Sequence, residues 1–395
     1  MHGKTLAGLA ILAAAALLLG SASCAAGDGP GGEIGAVVDA AIHPLMQEHA
    51  IPGMAVAITL KGQRHYFNYG VAKQSGPAVT EDTIFEIGSI SKTFTATLAA
   101  YAQESGALSL ADNASHYLPA LRGSSFDHIS LLELGTYTAG GLPLQFPEQV
   151  TDRHTMLGYY QHWQPTHAAG TYRRYSNPSL GLLGLLAAES MGESFEDLLE
   201  KRLFPQLGLR QSYLQVPAER MNQYAYGYTE AGQPVRVSPG VLDAEAYGVK
   251  SSAADMLRFV EANLPTADLE EPLRRAIAAT HTGYYRVGDM TQGLGWELYP
   301  YPVALERLLA GNSPAMALEA HAITRLEPPL APQGNVLINK TGSTNGFGAY
   351  VAFVPAKGIG IVLLANTNYP NAARVQVAHA LLTALDARLG AGTGR

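Results

Sequence analysis

The stretch Val336-Leu337-Ile338-Asn339-Lys340-Thr341-Gly342-Ser343, followed by Thr344-Asn345-Gly346 and then Phe347 to Val354, decides the fold. Two apolar runs rich in β-branched and aromatic residues flank an Asn-Gly pair. That pair is a strong hairpin signal, because both central residues of the tight two-residue turn need positive φ. Pro355 to Gly358 turns the chain again, and Ile359 to Ala365 reads as a further strand. Pro370 to Leu389 then carries Val375, Val377, Leu381, Leu382 and Leu385, a helical pattern that closes the unit.

The other end of the chain supplies matching pieces. Glu33 to His49 has Ile34, Val37, Val38, Ala41 and Leu45 at helical spacing. Met54 to Leu60 and Gln63 to Val71 read as two strands joined at Lys61-Gly62. Two early strands and three late ones, each set beside a helix, predict an α+β fold with an antiparallel sheet of five or more strands flanked by helices. Between them, Ala107 to Pro239 has few strand signals, several Gly- and Pro-rich connections, and helix-like runs at Leu180 to Met191 and Phe195 to Leu203. The expected organisation is a sheet domain from 27–106 and 250–391, an inserted mostly helical lobe at 107–249, and a flexible tail at 392–395. A cleft between lobes is a common place for a site.

Composition limits the function classes. Charged residues are 15% of the 395, and 47% are hydrophobic, which suits a large buried core. The formal net charge is -7 with no basic run, which argues against nucleic-acid binding. His2 and Lys4 precede an apolar run from Leu6 to Leu19 and small residues from Gly20 to Ala26, the layout of a secretory signal at 1–26. The run falls short of the roughly 20 residues a membrane span needs. The sole cysteine, Cys24, lies in that segment, so no disulfide is expected in the mature protein. Ser21-Ala22-Ser23-Cys24 is loosely similar to a lipoprotein processing site, but lacks the usual leucine three places before the cysteine. The 12 histidines include no His-x-His and no His-Glu-x-x-His, so no metal is expected.

Three short strings carry chemistry. In Ser89-Ile90-Ser91-Lys92, a helix starting near Ser89 would put Lys92 one turn on and on the same face. A serine hydroxyl needs a neighbouring base, and a lysine of lowered pKa can serve. Chance alone would supply about 0.4 such pairs in this composition, so the string is weak by itself. In Tyr175-Ser176-Asn177, the tyrosine could shuttle protons and the amide could bind a substrate amide, although Asn177-Pro178 is also an ordinary turn. In Lys340-Thr341-Gly342-Ser343, alternation puts Lys340 and Gly342 on one side of a strand. Gly342 would leave room for a ligand along it. The amides of Ser343 and Ser89 could together form an oxyanion hole.

Together these strings resemble the penicillin-recognising serine enzymes, and Tyr-Ser-Asn in place of Ser-Asp-Asn makes the resemblance one to class C, AmpC-type β-lactamases. Longer stretches are similar to that family too: Thr136 to Gln145, Ser238 to Lys250, Gln292 to Glu297, Lys340 to Pro355, and Leu364 to Arg374. No Glu-x-x-Leu-Asn segment, which would carry the class A deacylation base, is present. The resemblance implies an acyl-enzyme on Ser89, with proton transfer shared by Lys92 and Tyr175 in an unsettled division. It implies that Asn177 binds the side-chain amide and that Lys340 and Thr341, beside Gly342 and Ser343, hold the β-lactam carboxylate. Asn371 and Arg374 would lie nearby, and Tyr247 would flank the site and help position the deacylating water. Ser125 stands where the family usually has a glutamine that contacts the substrate amide.

The expectation is a periplasmic, monomeric enzyme that needs no cofactor and hydrolyses β-lactams, cephalosporins above all. The alternatives are a DD-peptidase or esterase of the same fold that β-lactams merely inhibit, and a non-catalytic β-lactam-binding sensor.

Overall fold

The computed structural model describes residues 30–392, so the segment read as an export signal and most of the expected tail lie outside the described residues. The sheet is built from strands β1 (Gly53–Leu60), β2 (Gln63–Gly70), β3 (Gly283–Val287), β4 (Met290–Gln292), β5 (Glu297–Pro300), β6 (Thr324–Leu330), β7 (Val336–Ser343), β8 (Gly348–Val354) and β9 (Ile359–Ala365). Their order across the sheet is β6-β3-β4-β5-β7-β8-β9-β1-β2, nine strands in antiparallel pairs. All five strands expected from sequence are present. The four others, β3 to β6, extend the sheet beyond β7.

Helices cover both faces. The longer helices are α1 (Pro30–Glu48), α2 (Ser91–Glu104), α3 (Arg153–His162), α4 (Asn177–Met191), α5 (Ala253–Ala262), α6 (Glu271–Thr280) and α7 (Asn371–Gly392), of which α3 and α4 pack chiefly among helices and not on the sheet. Strand alternation sorts the core. Met54, Val56 and Ile58 of β1 join Ile361 and Leu363 of β9 under α1 and α7. Ala55 and Ala57 join Val362 and Leu364 on the opposite face, with Phe94 and Leu98 of α2 and Phe259 of α5. Because successive side chains of a strand point to opposite faces, one run can serve both cores.

Helix α2 belongs to two cores at once. Its Ala96, Ala99 and Ala100 pack with Leu182, Leu183 and Leu186 of α4 in a third cluster. Ser91 to Ala100 is buried without a break, and its polar members are satisfied internally, with Ser91, Thr93, Thr95 and Thr97 each donating to a backbone carbonyl. The segment carrying the Ser-x-x-Lys string is thus buried where the sheet meets the helices.

The turn after β7 departs from the sequence reading. Neither Asn345 nor Gly346 has positive φ. The pairing Ser343↔Gly348 leaves a four-residue loop, closed by the Thr344 amide donating to the Phe347 carbonyl at 3.1 Å. Tertiary contact sets this shape. The Tyr228 amide donates to the Gly346 carbonyl at 3.3 Å, and a Cβ on Gly346 would meet the backbone of Gly227 at 2.9 Å.

Gly342 also has a different task from the one expected. A Cβ there would overlap the carbonyl oxygen of Ile87, and one on Gly88 would overlap the backbone of Ser343. Gly88 has φ of 51°, a conformation that costs little only for glycine. The space that a Cβ would take at Gly342 is filled by the chain's own Ile87–Ser89 segment. We predict that Gly342→Ala lowers stability in urea unfolding by about 1–3 kcal/mol, the usual cost of forced overpacking. An unchanged midpoint would show that the two segments separate freely.

Candidate active site

Ser89 lies in a single tight turn, Gly88–Ile90, that leads directly into α2. Ser91 fixes this turn: its hydroxyl donates to the Gly88 carbonyl at 2.7 Å and accepts from the Val249 amide at 3.0 Å. Lys92 stands on the same side as Ser89, as the spacing predicts. Its Nζ donates to Ser89 Oγ at 2.9 Å and to the Ala246 carbonyl at 2.6 Å.

Tyr175 is held between two anchors. The short strand Tyr172–Arg174 precedes it, and Ser176 caps α4 by accepting from the Ser179 amide at 3.0 Å. Lys92 Nζ is 5.2 Å from the centre of its ring, and Lys340 Nζ is 4.9 Å from it. Lys340 reaches that place because β7 turns the same face toward α2 that carries Ile338 into the core below.

These contacts set the proton chemistry. Burial, the largest effect, and then the nearby charge of Lys340 hold the Lys92 ammonium down to about 8, against a counter-pull from Tyr175. For Tyr175, burial works against ionisation, but Lys340 and Lys92 overcome it and bring the phenol down to about 8. The two groups therefore titrate as a pair near the same pH. Below that pH the lysine is charged and the phenol neutral, and the pair gives up protons as pH rises through 8.

A buried ion pair lies beneath. Arg173 is 1% exposed. It bonds Glu297 at 3.2 Å, Gln292 Oε1 at 2.7 Å and the Met316 carbonyl at 2.9 Å. A buried guanidinium is tolerable only with its hydrogen bonds satisfied, and these three supply them. Its planar head also lies against the rings of Tyr137 and Tyr175, at 5.3 and 5.7 Å. Tyr137, at φ of 62°, packs its ring 4.7 Å from that of Tyr175.

One nook of about 150 Å³ is lined by Ser89, Tyr175, Lys340, Thr341, Gly342, Ser343 and Asn371 among the residues expected from sequence. At well under the usual 300 Å³ and more of a ligand pocket, it holds only the reacting end of a ligand. Lys92 lies buried behind it. Arg374 does not line it. That guanidinium is buried and donates to the Gly342 carbonyl at 2.7 Å, Ser343 Oγ at 2.9 Å, Asn368 Oδ1 at 2.7 Å and the Tyr369 carbonyl. It acts on the site by holding the end of β7.

Asn177 and Tyr247 are also outside the lining. Asn177 starts α4, with its amide donating to the Leu144 carbonyl at 3.0 Å and its side-chain Oδ1 buried without a partner. Tyr247 directly follows Ala246, whose carbonyl holds Lys92. Ser125 donates its hydroxyl to the Trp163 carbonyl at 3.1 Å and does not line the nook.

Sequence reasoning missed the rest of the lining, Arg173, Glu297, Gly311, Asn312, Ser313, Met316 and Ala317. The only available signal was that Glu297 ends the stretch Gln292 to Glu297. Three polar atoms of lining residues are buried without a hydrogen-bond partner: Tyr175 Oη, Asn312 Oδ1 and Asn371 Oδ1. Orphaned polar atoms are rare in folded proteins, and their grouping here marks a place for a polar ligand.

A family model described as Beta-lactamase matches residues 38–386. A β-lactamase of Pseudomonas fluorescens is 60% identical over 90% of this chain and 99% of its own. A crystal structure of a class C β-lactamase in complex with cefoxitin is similar with a TM-score of 0.88 and 53% identity, covering 90% of this chain and 99% of that one. A β-lactamase/D-alanine carboxypeptidase from Pseudomonas syringae is similar with a TM-score of 0.87 and 50% identity, covering 89% and 99%.

Replacing Lys340 by methionine removes the charge that lowers Tyr175 and leaves its burial in place. The phenol is then expected to titrate at or above the ordinary tyrosine value of about 10. Tyrosinate absorbance on pH titration reads this directly. A transition near pH 8 that persists in Lys340→Met would mean that another group causes it.

Proposed function

The chain belongs to the beta-lactamase family, and we propose that it is a class C serine enzyme that hydrolyses the β-lactam ring, of cephalosporins above all, and so confers resistance to them. The observation that carries this reading is the hydrogen bond from Lys92 to Ser89 beside a phenol flanked by two buried lysines.

Ser89 Oγ attacks the lactam carbonyl carbon, and its proton passes to the Lys92–Tyr175 pair. The C–N bond breaks, and the pair returns the proton to the departing ring nitrogen. Water then attacks the Ser89 ester, releases the opened product and restores the hydroxyl. A pair poised near pH 8 suits both directions of this traffic. The Ser89 and Ser343 amides serve as the oxyanion hole, a reading supported by the close approach of Gly88 to the Ser343 backbone. Lys340 and Thr341 take the substrate carboxylate, with Asn371 beside them and Arg374 holding Ser343. Asn177 takes the side-chain amide, and Tyr247 flanks the deacylating water.

Residues 1–26 direct export to the periplasm and are removed, and the mature chain acts there as a monomer with no cofactor. Among the described residues no helix is long and apolar enough to cross a membrane. Intact mass of the exported protein checks this: a mass that retains the segment, or one that carries a lipid on Cys24, overturns it.

Purified mature protein is expected to turn over nitrocefin, and Ser89→Ala to lower kcat/KM by on the order of 10³-fold or more. Undiminished turnover by Ser89→Ala would remove the nucleophile. The name of the Pseudomonas syringae structure favours a second reading, a carboxypeptidase that β-lactams acylate and stall. Mass spectrometry after penicillin separates the two. A hydrolase returns to its unmodified mass within seconds to minutes, whereas a stalled peptidase keeps the added acyl group.

A further inference from the structure

We propose that a second cavity, between α3, α4 and the loop leading to Tyr247, binds an extended organic cation that carries two or more amino groups. This reading goes beyond the hydrolase reaction and does not depend on it.

The cavity measures about 780 Å³ and is walled by the start of α3, the C-terminal half of α4, the segment after it and residues 239–245. Its charged lining is dominated by one sign: Asp152, Glu189, Glu193, Glu196, Asp243 and Glu245 against Arg153 alone. Three of the carboxylates are already engaged. Asp152 caps α3 through Thr155, Glu189 pairs with Arg153 at 2.7 Å, and Glu193 pairs with Arg202. Glu196, Asp243 and Glu245 have no ion pair.

Glu245 is the decisive member. Its residue is only 7% exposed, its side chain faces the cavity, and its carboxyl group has no ion-pair or hydrogen-bond partner on another residue. Burial, with Glu196 and Asp243 adding like charge and Arg153 opposing them, raises this carboxyl to about 8. A buried acid without a partner is costly in its charged form, and a cation placed beside it removes that cost.

The ligand's shape follows from how the carboxylates are spread. Among the described residues, no three His, Cys, Asp or Glu side chains are placed to hold a metal ion. A compact ion therefore cannot satisfy Glu245, Glu196 and Asp243 together, whereas a flexible chain with an amine at each end can reach separated acids. Met156, Leu185 and Phe195 supply apolar wall for the methylenes between.

The test is isothermal titration calorimetry of the mature chain with 1,4-diaminobutane, with 1,4-butanediol as the uncharged control of equal length. Saturable 1:1 binding of the diamine is expected, none of the diol, and affinity at least tenfold weaker in Glu245→Gln. Glu196→Gln, an exposed change on the rim that leaves the core intact, is expected to weaken binding severalfold. It decides the matter if Glu245→Gln does not fold. Absence of saturable binding to the wild-type chain, equal binding of the diol, or full affinity in the variants overturns the proposal. Nitrocefin turnover is not a readout here, so failure of this site leaves the hydrolase reading standing.

Discussion

Lys92 and Lys340 are both buried against the ring of Tyr175, and neither forms an ion pair with a carboxylate among the described residues. Two like charges in a water-poor space repel each other and pay for lost hydration. The fold accepts this by placing an ionisable phenol between them. Glu297, the acid lining the same nook, is engaged by Arg173 at 3.2 Å and is not paired with a lysine. The arrangement leaves a proton loosely held at the place where a serine hydroxyl must lose one.

That electrostatic arrangement depends on backbone geometry. Ser89 meets β7 only because Gly88 and Gly342 let two main chains approach without side chains between them. Lys92 is aimed by the Ala246 carbonyl, and the same loop is tied again where Thr95 donates to the Glu245 carbonyl at 2.6 Å. Arg374 holds the far end of β7 through its bonds to Gly342 and Ser343. Each catalytic candidate is thus fixed by main-chain contacts from elements distant in sequence.

Much of this was legible beforehand. Strands such as Val336–Ser343 and Ile359–Ala365 declare themselves, because long apolar runs between turns have few other solutions. β3 to β6 did not. Thr324–Leu330 contains two prolines and is mostly exposed at the edge, and Met290–Gln292 is only three residues long. The Asn345-Gly346 turn misled because local preference yielded to the packing of Gly346 on Gly227. The pairing of Arg173 with Glu297 left no local mark, since residues 124 apart meet only once the sheet has formed. Arg374 was expected beside the ligand, because sequence reports that an arginine is present and not which groups already hold it.

The sheet joins the two ends of the chain. β1 pairs with β9 through seven residues, from Met54↔Ala365 to Leu60↔Ile359. The β1–β2 hairpin therefore cannot join the rest of the sheet until the last strand has been made. Closing so long a loop is entropically costly and tends to slow folding. A growing chain of this topology stays incomplete until synthesis is nearly over.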